Sequence, residues 1–116
     1  MGGSFGNTRG KRANVKIHKG QQDKHIPGTN NYKQRIRNGD IPSIITENPD
    51  KLLKEGAGKG KNYTNREVVD YGRIIGKYYD IGTKRYYDTT RATIHYNQNG
   101  EAHIVPAMPN WMIKRK

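Results

Sequence analysis

From residue 66 onward the sequence takes on a period of two, and this limits the fold more than any other feature. The segments "REVVDYG", "RIIGKYYD", "KRYYDTTRATIHYN" and "EAHIVPA" are rich in Val, Ile, Thr and Tyr and read as β-strands. Their connections, "DIGTK" and "NQNG", are short and carry Gly or Asn, as hairpin turns require. In "ATIHY", Ala92, Ile94 and Tyr96 face one way while Thr93 and His95 face the other. Four strands joined by short turns predict an antiparallel meander.

The signals before residue 66 are mostly helical. In "NPDKLLKEGAG", Asn48 can cap free N–H groups, Pro49 suits the first helical position, and Asp50 favours the positive end of the dipole. Gly56 or Gly58 ends that helix. "NNYKQRIRNG" has an Asn start, Tyr32 and Ile36 one turn apart, and Gly39 as a stop, which predicts a shorter helix. "NVKIH" suits a short edge strand, and "QQDKHIPGTNNY" reads as a loop. Helices followed by a four-stranded antiparallel sheet define an α+β domain. "GAGKGKN" lacks the spacing of a nucleotide-binding P-loop and reads as a linker with solvated lysines.

A chain of 116 residues fits one domain. Residues 1–19 read as a flexible basic segment and residues 20–116 as the folded unit. Hydrophobic content is only 31% and mean hydropathy −1.10, so the core is expected to be small. Eight tyrosines and one tryptophan argue against full disorder. Tyr78, Tyr79, Tyr86, Tyr87 and Tyr96 divide between core and surface, and the exposed rings are equally suited to stacking bases or covering the sheet. With no cysteine, disulfides and Cys-based zinc sites are excluded.

Twenty-two basic residues against ten acidic ones give a net charge of +12. Residues 1–38 hold nine Lys or Arg and one acid, or +8; the rest holds thirteen and nine, or +4. Such a field attracts polyanions, nucleic acid above all. No amphipathic helix with a Leu/Phe/Trp face is visible, no apolar run is long enough to span a bilayer, and no signal peptide is visible at the start. Membrane insertion by this domain is therefore not expected.

The residues able to do chemistry are His18, His25, His95 and His103. No His-x3-His or His-Glu-x2-His spacing is present, so neither a metal nor another cofactor is expected. Histidine also serves as a general acid or base near neutral pH. RNA carries its own nucleophile, the 2′-OH. Cleavage needs a base for that proton, an acid for the departing 5′-oxygen, and cations around the phosphate. Two histidines with Lys or Arg suffice, although on an ordinary basic domain most histidines are solvated or structural.

"KHIPGTNNY" (24–32), "TTRATIHY" (89–96) and "GEAHIVPAMP" (100–109), with "NPDKLLKEGAGKGK" and "IGKYYD" between them, resemble the polymorphic-toxin type 50 domain, the bacterial toxin 50 family. The resemblance covers about residues 20–109. It implies the C-terminal warhead of an LXG-type or related secreted toxin, with a fold similar to the barnase/EndoU/colicin/RelE group of ribonucleases. It further implies a nuclease presumed to act on RNA, working in the target bacterium's cytoplasm in interbacterial competition, and an immunity partner. A metal-dependent DNase and a non-catalytic nucleic-acid-binding domain are the alternatives.

Carried over by motif, the resemblance points to Lys24, His25 and His103, and less securely to His95, which is followed here by Asn97 where a serine is common after "HY". Strand alternation puts Arg91 and Thr93 on the face of His95, making Arg91 a candidate phosphate clamp; Lys59 and Arg66 could extend an anion track. Asp70 is a candidate to hold a basic residue in position. His25 and His103 form the expected acid–base pair, in undecided order. The charge predicts an acidic immunity protein, and the domain itself is expected to be monomeric.

Overall fold

The computed structural model describes residues 15–114. In chain order the elements are β1 (Lys16–Ile17), α1 (Lys19–Asp23), α2 (Asn30–Arg37), β2 (Ile44–Ile45), α3 (Pro49–Gly56), β3 (Lys61–Asn62), β4 (Arg66–Asp70), β5 (Gly76–Asp80), β6 (Arg85–Thr89), β7 (Arg91–Tyr96), β8 (Glu101–Pro106) and α4 (Asn110–Lys114). The predicted basic segment falls largely at residues 1–14, outside the described residues, while β1 within it joins the fold. Among the described residues no helix is long and apolar enough to cross a membrane.

The helices form where local signals demand them. Asn48 accepts the N–H of Asp50 at 2.8 Å and of Lys51 at 3.4 Å, and Pro49 opens α3. Thr29 caps α2 through the N–H of Tyr32, and Gly39 beyond its end has a φ of +90°. The stretch read as a loop from residue 21 instead begins inside α1. A five-residue helix shows too little periodicity to detect, and its cap is His18, outside the usual capping set.

The expected single four-stranded meander is corrected. The strands form two sheets, one of five in the order β1-β8-β7-β4-β3 and one of three in the order β2-β5-β6. β1 runs parallel to β8, and the other pairs are antiparallel. "KRYYDTTRATIHYN" contains two strands, because the chain changes sheet after Thr89. The Thr89 hydroxyl donates to the Ala107 carbonyl at 2.7 Å and accepts the Arg91 N–H at 3.1 Å, bonds that fix the corner. The β5–β6 hairpin swings into the second sheet with β2, and β4 pairs directly with β7.

Ile45, Leu52, Leu53, Ala57, Val69, Ile75, Ala92, Ile94, Ala102 and Ile104 form the core. Ala92 and Ile94 point inward, as the alternation requires. Glu67 is also on this inner face, fully buried. Its carboxylate accepts the N–H groups of Gly58 at 2.7 Å and Gly60 at 2.8 Å, and the Tyr96 hydroxyl. Two N–H groups of the glycine- and lysine-rich loop are therefore committed to the protein's own carboxylate.

The outer face of the five-stranded sheet carries Arg66, Val68 and Asp70 from β4, Arg91, Thr93 and His95 from β7, and His103 and Val105 from β8.

Candidate functional site

The β7–β8 register sets His95 directly opposite His103. Their rings stack with centroids 5.0 Å apart and an interplanar angle of 17°. Past β8, the row continues through a residue from the other end of the chain. β1 covers only the start of the β8 edge, and α1 takes over from it. The Gln22 amide donates to the Ile104 carbonyl at 2.9 Å and accepts the Ile104 N–H at 2.6 Å, so a side chain replaces a strand.

The turn after α1 brings His25 against His103, with centroids 6.3 Å apart and planes 12° from parallel. His25 is almost fully buried, and its Nδ1 is 2.9 Å from the Ser43 carbonyl. A carbonyl only accepts, so Nδ1 carries the proton. The neutral ring therefore has an unprotonated Nε2, the form a general base requires. His18 bonds in the opposite sense: its Nδ1 accepts the Gln21 N–H at 3.1 Å.

His25 and His103 open on one groove of about 560 Å³, also lined by Lys24, Gln21, Gln34 and Arg35. A smaller cleft of about 110 Å³ on the other side of His103 is lined by His18 and His95. Burial is the main cause that pushes the three stacked imidazoles below the ordinary histidine value. His103 falls furthest, to about 4, because His95, His25, His18 and Lys24 add positive charge around an already desolvated ring. For His25 the Ser43 carbonyl partly opposes burial, while Arg35, His95 and Lys24 reinforce it. Arg66 adds to burial at His95. At neutral pH these causes favour the neutral form of each ring in the row.

Of the residues singled out from sequence, His25, His103, His95 and Lys24 come together, and Arg66 continues the row as the register partner of His95. Thr93 is on the same face two residues from His95. Arg91 shares the face too, but at the far end of β7, where its guanidinium donates to the Met108 carbonyl at 2.7 Å. Lys59 sits in the loop that Glu67 ties down, away from the groove lining. Asp70 accepts the Gly72 N–H and the Asn110 side chain, shaping a turn.

The sequence alone does not single out Arg35, because a basic residue on a polar helix carries no distinguishing local mark. It lines the groove and lies 3.6 Å from Asp40. Tyr78, Tyr79, Tyr86 and Tyr87 belong to the three-stranded sheet and do not line the groove. Tyr96 turns inward to Glu67. Among the described residues no group of three or more His, Asp or Glu side chains could hold a metal ion.

The sequence matches the family model described as bacterial toxin 50 over residues 17–106. The chain therefore belongs to the bacterial toxin 50 family and is a toxin domain of the polymorphic type. No curated protein and no solved structure matches it.

Proposed function

We propose that this domain is the nuclease warhead of a secreted bacterial toxin and that it cuts RNA through its own 2′-OH. The observation that carries the reading is the meeting of His25 and His103, far apart in the chain, at one groove walled by Lys24 and Arg35. The +12 charge supports a polyanionic substrate, and membership of a toxin family supports a destructive activity.

His25 is the base. Its Nε2 takes the 2′-OH proton as the 2′-oxygen bonds to phosphorus. His103 is the acid: burial and nearby positive charge disfavour its imidazolium in the free domain, the incoming phosphate's negative charge offsets them, and the protonated ring passes its proton to the 5′-oxygen as the P–O5′ bond breaks. The products are a 2′,3′-cyclic phosphate and a 5′-hydroxyl. Lys24 and Arg35 offset the charge that builds on the non-bridging oxygens. His95 stacks on the acid and holds its ring in orientation. An acidic immunity protein would inhibit by filling the same groove.

Incubation of the purified domain with bacterial RNA and with plasmid DNA, each with and without EDTA, tests this. The expected result is RNA cleavage indifferent to chelator, with 2′,3′-cyclic phosphate ends. Chelator-sensitive cutting of DNA would replace the proposal with a metal-dependent nuclease. Salt-sensitive binding without any product would make the domain a non-catalytic binder.

A further inference from the structure

The β3–β4 turn adds a second constellation to the outer sheet face. Arg66 stands opposite His95, so the line from His25 through His103 and His95 runs on to β4. The Tyr63 N–H donates to the Arg66 carbonyl at 2.7 Å and the Tyr96 N–H to the Asn65 carbonyl at 2.8 Å. These bonds clasp the turn to the end of β7. The Arg66 guanidinium lies over the Tyr63 ring, 4.7 Å from its centroid, and the Lys61 ammonium is 5.9 Å from it. Lys61 pairs with Val68 in the register and so shares the outer face with Arg66. Tyr63 is 41% exposed, too open for a core role.

An exposed aromatic ring flanked by two cations has the chemistry of a nucleotide site: the ring offers a stacking surface, and the cations meet phosphate. From β8 to β4 is two inter-strand spacings, about 10 Å, a span that a short stretch of single strand bridges. We propose that Tyr63, Arg66 and Lys61 form a second nucleotide subsite beside the histidine row. A base of single-stranded RNA stacks on the exposed side of the Tyr63 ring, away from the Arg66 guanidinium, and the phosphate next to it binds Arg66 and Lys61. Duplex RNA keeps its base faces stacked internally and cannot use the ring. The inference takes its substrate from the nuclease reading above.

The test is binding, by fluorescence anisotropy, of uncleavable 2′-O-methyl oligonucleotides of two to six residues and of a matching duplex. Wild-type affinity should rise with single-strand length. Tyr63→Ala should lose most of that rise, about tenfold on the longer strands, as expected for one stacked base. Tyr63→Trp should keep it, and Arg66→Ala should weaken binding and its salt dependence together. Equal binding of single strand and duplex, or unchanged binding by Tyr63→Ala, overturns the subsite. So does unchanged oligonucleotide binding accompanied by weaker binding of polyglutamate, which would assign the patch to an acidic protein. Cleavage is read separately. Tyr63-dependent binding with no cleavage would sink the nuclease reading alone, and cleavage with binding indifferent to Tyr63 would sink the subsite alone.

Discussion

Gln22 is a polar side chain only 1% exposed, and it occupies the position of a missing strand. Its amide satisfies both the N–H and the carbonyl of Ile104, on the β8 edge just past His103. Gln22→Ala should destabilise the fold by about 2–4 kcal/mol, because two buried backbone groups lose their partners. Gln22→Met restores volume without the hydrogen bonds and should be nearly as unstable in urea titration. Recovery of wild-type stability by Met would mean that packing, not pairing, holds this edge. The Ser43 carbonyl acts on a single atom in the same way. By fixing the proton on Nδ1 of His25, it leaves Nε2 as the unprotonated nitrogen, the one the proposed base uses.

Elements whose signals are local were legible in the sequence, and those set by distant partners were not. α3 announces itself through Asn48 and Pro49 within its first turn. α1 is short and is held by Ile104, far along the chain, so nothing near Gln22 signals it. Strand alternation correctly sorted Ile94 from His95, yet it could not reveal that the chain changes sheet after Thr89. That corner depends on the Ala107 carbonyl. Alternation also assigned Arg91 to the face of His95 without its distance, which is about 13 Å over four residues of strand. Tyr63 and Arg35 gave no signal, since only the fold sets them beside Arg66 and the groove.

At the scale of the whole molecule, a strongly basic domain concentrates neutral imidazoles at its groove. All three stacked histidines have folded values below the unfolded one, so the folded state binds protons less readily. Their contribution to stability is complete above the unfolded value, about 6.5, and is lost as pH falls from there toward the folded values. Thermal melts should therefore show Tm falling between pH 7.5 and pH 5.5, above the range where carboxylates protonate. Inorganic phosphate should offset the fall by binding the charged rings. A Tm that stays level across this interval would contradict the burial of the cluster.

The central claim is that His25 and His103 act as a unit on one phosphodiester. Its most direct test is the cleavage rate of His25→Ala, His103→Ala and the double variant on a single RNA substrate. Each single substitution should slow cleavage by about 10²- to 10⁴-fold. The double variant should be little slower than the worse single, as for groups that serve one step together. A wild-type rate in either single variant, or a double variant slowed by the product of the two effects, would contradict the account.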